Sequence, residues 1–123
     1  MSFDKRILIV DDETAILLAF KRLLQRPGIE VVTSESLSEA KEKIDRSFFD
    51  AVIADLRLSG TFDQEGFEII KFTRSKYPQS KIALITAYGS NGIKEEAKKL
   101  GADFYFEKPV SKDKLSQILD SLG

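Results

Sequence analysis

Apolar residues along the chain gather in five short runs: RILIV at 6–10, EVVTS at 30–34, AVIAD at 51–55, KIALIT at 81–86 and FYF at 104–106. Their richness in Ile, Val, Leu and Phe suits parallel strands covered on both faces. Between the runs, apolar side chains recur at helical spacing. Ile16, Ala19, Phe20, Leu23 and Leu24 mark one face of a first helix, and Phe67, Ile70 and Tyr77 one side of a third. Ile93, Ala97 and Leu100 do the same for a fourth, and Leu115, Ile118, Leu119 and Leu122 for a fifth. Ser36 and Glu39 form an S-x-x-E capping box at the head of the second helix, and Ser111 is placed to cap the fifth. Gly28 after Pro27, and Gly101 after Leu100, read as helix terminators.

The pattern is a βα unit repeated five times. Strict alternation implies right-handed crossovers and a parallel sheet with helices on both faces. Five strands in 123 residues predict an α/β, flavodoxin-like fold with strand order 2-1-3-4-5, and a single domain spanning 1–123. In such sheets ligands sit at the carboxyl ends of the strands, near the switch point between the first and third.

Composition narrows the chemistry. Apolar residues make up 42% of the chain, enough for a core, and 19 basic residues nearly balance 20 acidic ones. With no basic stripe, direct binding to nucleic acid or to an anionic membrane is not expected. The absence of Cys and His rules out disulfides, thiolate or imidazole metal ligands and His-based catalysis, leaving carboxylates, hydroxyls, amines and the backbone. The opening MSFDKRILIV has too short an apolar run for a signal peptide, and no stretch approaches transmembrane length, so a cytoplasmic location is the expectation.

Polar residues stand where the apolar runs stop. Asp11, Asp12 and Glu13 follow the first, Asp55 ends the third, Thr86 ends the fourth, and Lys108 follows the fifth. Each has a plain structural account: Asp12 or Glu13 capping the first helix, Thr86 capping the fourth, and Lys108 solvated before Pro109. Jointly they say more. Three Asp side chains brought together repel one another unless cations compensate, and a divalent hard ion plus Lys108 supplies matching charge. Mg²⁺ suits such a set, since it takes carboxylate oxygens, retains waters and leaves room for phosphate oxygens. An Asp can also attack phosphorus to give an aspartyl phosphate. The transferred group then needs donors around its oxygens, and Lys108, the Thr86 hydroxyl and the Ala87 backbone N–H are of the right kind.

The strings ILIVDDE, VIADLRL, LITAYG and LGADFYFEKP, with a final helix, resemble the receiver domain of bacterial two-component response regulators. The likeness spans almost the whole chain and keeps the family's order. It implies that Asp55 accepts a phosphoryl group from a sensor histidine kinase or a phosphotransfer protein. It further implies that Mg²⁺, with Mn²⁺ as the alternative, is bound directly by Asp12, through water by Asp11, and by Asp55 and the Arg57 carbonyl. Thr86, the Ala87 N–H and Lys108 would contact the phosphoryl, with Lys108–Pro109 commonly cis in the family. Tyr105 stands where the family's switch aromatic lies. It would follow Thr86 inward and remodel the surface of the fourth helix, fifth strand and fifth helix for an output domain or downstream protein, or for a homodimer formed on phosphorylation. Such a domain is a regulatory phosphoacceptor with slow self-dephosphorylation rather than an enzyme.

Two features depart from the family pattern. Ser59 replaces the usual Pro four residues after Asp55, and LRLSGTFDQEG is long, which reads as an insertion around 61–65. Asp63 and Glu65 are expected to cap the third helix or remain solvated. Arg57, two residues after Asp55, is either solvated or a shield for the phosphoryl. Glu95 and Lys99 are spaced for an i,i+4 ion pair. Two other readings share the site residues: a receiver-fold interaction module that works without phosphorylation, and a Mg²⁺-dependent phosphatase with an Asp nucleophile. The complete set of Asp11, Asp12, Asp55, Thr86 and Lys108 weighs against the first. The lack of an obvious cap or substrate pocket weighs against the second.

Overall fold

The computed structural model describes residues 4–58 and 64–122. The apolar runs form strands β1 (Lys5–Val10), β2 (Ile29–Ser34), β3 (Ala51–Asp55), β4 (Lys81–Thr86) and β5 (Phe104–Glu107). The helices are α1 (Thr14–Leu24), α2 (Leu37–Arg46), α3 (Glu65–Lys76), α4 (Asn91–Leu100) and α5 (Lys112–Ser121). All strand pairs are parallel and the order is β2-β1-β3-β4-β5, as the alternation predicts. No helix of the described residues is long and apolar enough to cross a membrane.

Successive strand side chains point to opposite faces, so each central strand feeds two helical layers. Ile7, Ile9, Ile53, Ile85 and Phe106 meet Leu17, Phe20 and Leu24 of α1 and Leu115 and Ile118 of α5. On the other face Leu8, Val10, Val52 and Ala54 meet Ala40 and Ile44 of α2 and Ile69 of α3. Leu56, Ile82 and Leu84 meet Ile70 of α3 and Ala97 of α4. Tyr105 joins this last cluster, whereas Phe104 and Phe106 stack at 5.9 Å and join the first.

Several local expectations need correction. In α1, Leu17 is buried and Ala19 is exposed, so the inward stripe is Leu17–Phe20–Leu24 flanked by half-buried Ile16 and Leu23. The helix ends at Leu24, not at Gly28, because the residue before Pro27 is biased away from helical geometry. Gly28, at φ 84°, instead turns the chain into β2, and its carbonyl accepts from the Asp4 and Lys5 N–H groups. The buried side of α3 is Gly66, Ile69, Ile70 and Thr73. Tyr77 caps that helix and packs under the α2 cluster, away from Phe67 and Ile70.

The caps are partly as expected. Ser36, Ser90 and Ser111 accept from the N–H groups of Glu39, Ile93 and Lys114. The capping box is only half made, because the Glu39 carboxylate pairs with Lys43 at 3.1 Å instead of returning to Ser36. Gly101 ends α4 in the left-handed region at φ 116°. Among the described residues Glu95 and Lys99 form no ion pair; both are exposed, where such pairs contribute little. Gln64 is the N-cap of α3 without a side-chain bond, and Glu65 is its first residue. The expectations for Ser59, the 61–63 part of the insertion and Asp63 fall outside the described residues.

Candidate functional site

Strand register brings the polar residues together. Val10 pairs with Ala54, so Asp11 and Asp55 follow side by side. Asp55 pairs with Ile85, which places Thr86 one step beyond it, and Thr86 pairs with Glu107, immediately before Lys108. Four strand ends thus deliver Asp11, Asp55, Thr86 and Lys108 to one edge of the sheet. The buried β3, apolar from Ala51 to Ala54, carries Asp55 to that edge at only 7% exposure.

Lys108 holds the acids. Its Nζ lies 2.9 Å from Asp11 Oδ2, 3.0 Å from Asp55 Oδ2 and 3.9 Å from Glu13 Oε1. The Lys108–Pro109 bond is cis. Asp11 is buried, and its second oxygen accepts from the Glu13 N–H at 2.9 Å. Asp55 Oδ1 takes a long bond of 3.4 Å from the Arg57 N–H. Asp12 is exposed, and one carboxylate oxygen from each of Asp11, Asp12 and Asp55 lies within 4.8 Å of the others.

One ammonium does not neutralise three carboxylates, and the site registers the deficit. Burial pushes Asp55 up to about 6; the hydrogen bond from Lys108 opposes this and repulsion from Asp11 reinforces it. Asp12 is also raised, by burial first and then by Asp11 and Glu13. Burial depresses Lys108, but its bonds to Asp11 and Asp55 outweigh that, and its net shift is upward. A pocket that resists its own negative charge and offers only hard oxygen donors fits a divalent cation such as Mg²⁺.

Thr86 is fully buried, and its Oγ1 accepts from the Tyr88 N–H at 2.9 Å. It does not cap α4; Ser90 does, because the turn between β4 and α4 needs the intervening residues. Nor does Asp12 or Glu13 cap α1 through its side chain: Glu13 is the N-cap residue but makes no side-chain bond to the helix, and its N–H donates to Asp11. Ala87 is exposed beside Thr86. The Arg57 guanidinium, expected either to be solvated or to shield the phosphoryl, lies 4.0 Å over the Tyr88 ring, with its Nε buried and unpartnered. The sequence pattern assigns Tyr88 no role, although an aromatic residue in the polar turn LITAYGS is a visible signal. Tyr105 is half-buried, with its hydroxyl shielded.

The response regulator receiver domain model matches residues 7–120 of the chain. The alginate biosynthesis transcriptional regulatory protein AlgB of Pseudomonas putida is 34% identical over 110 residues, covering 89% of this chain and 24% of that protein. The response regulator protein PilR of Pseudomonas aeruginosa is 32% identical over 115 residues, 94% of this chain and 25% of that protein. The chain therefore spans about a quarter of the length of these curated relatives. A crystal structure of a CheY-like response regulator receiver domain protein from Methanospirillum hungatei superposes with a TM-score of 0.86 at 34% identity, covering 96% of this chain and 93% of that one.

Proposed function

The chain belongs to the response regulator receiver domain family, and we propose that it is a phosphoacceptor switch that carries its phosphoryl group on Asp55. The observation that carries this reading is the Lys108 ammonium shared between Asp11 and Asp55 beside the exposed Asp12. That arrangement holds a nucleophilic carboxylate next to a donor and next to oxygens able to take a divalent ion.

In the proposed reaction an Asp55 oxygen attacks the phosphorus of a phosphohistidine on a sensor kinase or phosphotransfer protein. A P–O bond forms, the P–N bond breaks, and the leaving imidazole keeps the electron pair and takes a proton. Forming this acyl phosphate removes the carboxylate charge of Asp55 and sets a phosphoryl dianion within reach of the ammonium that Asp55 had engaged. Lys108 then donates to a phosphoryl oxygen, joined by the Thr86 hydroxyl and the Ala87 N–H. Asp11, Asp12, Asp55 and the Arg57 carbonyl would hold Mg²⁺ or Mn²⁺, whose chemistry when bound is charge neutralisation and orientation of phosphoryl oxygens.

The readout is assigned to α4, β5 and α5. Thr86 leads into the turn before α4, and Tyr105 packs against the α4 cluster, so movement of one alters the surroundings of the other. The partner is an output domain or downstream protein, in keeping with transcriptional regulators among the relatives, or a second copy on phosphorylation. The receiver unit is taken to be 1–123 and its compartment the cytoplasm, where kinase-bound phosphohistidine is available. The test is mass spectrometry after acetyl phosphate and Mg²⁺. Wild type should gain one phosphoryl adduct and Asp55→Asn none; an adduct that survives the substitution, or none on wild type, rejects the reading.

A further inference from the structure

Gly89 lies in the turn between β4 and α4 with φ outside the left-handed region, so its backbone conformation does not call for glycine. Its surroundings do. A Cβ at this position would stand 2.2 Å from Tyr105 Oη and 2.1 Å from Glu107 Oε1, closer than any real contact. Two side chains of β5 therefore converge on the bare α-carbon of a residue three positions after Thr86.

The two neighbours respond differently to crowding. Glu107 is exposed and flexible, so its carboxylate can swing away at little cost. Tyr105 is a rigid plane packed against the cluster of Leu84, Ala97 and Ile93, and can yield only by rotating as a whole. Its hydroxyl is shielded from solvent yet completes no hydrogen bond. Burial, and then the charge of Glu107, push its ionisation upward, while the nearby Ser90 N–H favours ionisation. The ring is thus held by shape, with its hydroxyl beside the Ser90 N–H but short of a full hydrogen bond.

We infer that Gly89 is a positioning residue for Tyr105: its missing side chain is the socket that admits the Tyr105 hydroxyl, and any larger residue drives the ring outward. The socket belongs to the turn that carries Thr86, so a displacement of that turn reshapes the seat of Tyr105 directly. This deepens the switch reading and rests on it for its purpose, but the steric claim stands on the contacts alone.

The chain has no Trp and three Tyr, so Tyr77→Phe with Tyr88→Phe leaves Tyr105 as the sole tyrosine. In that background acrylamide quenching of tyrosine emission should be weak with Gly89 and rise several-fold in Gly89→Ala, with the circular dichroism spectrum unchanged. The clashing atoms are side-chain ends, so the sheet itself is not displaced. Adding Glu107→Ala should leave Tyr105 exposed; restored shielding would mean that Gly89 accommodates the carboxylate instead, and the inference fails. Unchanged quenching in Gly89→Ala also overturns it. If Gly89→Ala does not fold, Tyr105→Ala must rescue it, and absence of rescue counts against the socket. Beryllofluoride with Mg²⁺ separates the two readings. The sole-tyrosine protein with Gly89 should change its Tyr105 quenching, while Gly89→Ala should still take up a phosphoryl adduct from acetyl phosphate. Failure of wild type to form any adduct rejects the switch and leaves the socket result intact.

Discussion

Lys108 Nζ lies 3.0 Å from Asp55 Oδ2, joining residues 53 apart in sequence, yet this contact does not bring Asp55 back to ordinary acidity. Burial dominates, and the carboxyl sits at about 6 rather than 3.8. The folded state therefore binds the proton more tightly than the unfolded chain, and stability falls as pH rises through that interval.

Asp55→Asn removes the cost of the buried charge. In metal-free buffer the variant should be more stable than wild type by about 1–2 kcal/mol near pH 8, after allowing for partial solvent contact, and by less near pH 4.5. Urea denaturation in EDTA at the two pH values measures the gap. A gap that narrows with rising pH would contradict the assignment.

Asp11 and Asp12 are adjacent but differ in what they already bind. Asp11 is tied to Lys108 and to the Glu13 N–H, whereas Asp12 is exposed and repelled by its neighbours. Asp12→Asn should leave metal-free stability unchanged or slightly raised and weaken Mg²⁺ binding about tenfold or more. Asp11→Asn should lose stability as well as metal affinity. Thermal melts across a Mg²⁺ titration report both quantities, since bound ligand raises the melting temperature by mass action. Equal metal-free losses for the two variants would refute the distinction.

The legible part of this molecule was whatever periodicity and chain order encode. Alternation in FYF put Phe104 and Phe106 on one face and Tyr105 on the other, and the structure agrees. The parallel register then follows from apolar runs of similar length, and with it the meeting of Asp11, Asp55, Thr86 and Lys108. Contacts made by long or rigid side chains across loops were not legible. Arg57 over Tyr88, and Tyr105 against Gly89, depend on the path of turns that carry no period. Ala19 lies outside the buried stripe, which the pattern does not reveal because alanine fits an apolar stripe or a solvent face equally well.

Away from the site, Arg74 closes the opposite end of the sheet. Its guanidinium donates to the carbonyls of Pro78, Ser80 and Gly101 and to Asp103 Oδ2, at 2.6 to 2.9 Å. The same Asp103 oxygen accepts from the Ile82 N–H, so α3, β4 and the end of α4 share one cation. Arg74→Ala should cost about 2–3 kcal/mol in chemical denaturation, because several acceptors lose a charged donor at once. The yield of phosphoryl adduct per folded molecule should be unaffected. A loss of adduct without a loss of stability would place Arg74 in signalling rather than in the scaffold.

The Arg57–Tyr88 stack spans the two turns that flank the candidate phosphoryl position. Arg57 N–H reaches Asp55 and Tyr88 N–H reaches Thr86, so each stacked residue is anchored to a site residue through its backbone. The guanidinium lies 4.0 Å from the ring centroid with its Nε buried, so the pair bridges the turns that follow Asp55 and Thr86. If Asp55 carries the proposed acyl phosphate, a pair bridging these turns would hinder the approach of an attacking water. Arg57→Ala should therefore shorten the half-life of phosphorylated protein about three- to tenfold, and Arg57→Lys should restore little, since an ammonium cannot stack as a plane. Tyr88→Ala should have a similar effect, and the double variant should be no faster than either single one, because the two side chains act as one unit. Decay of the purified phosphorylated forms, wild type included, followed by intact-mass measurement, gives the five rates. Additive effects would show that the residues act separately, and unchanged rates that the stack does not guard the acyl phosphate.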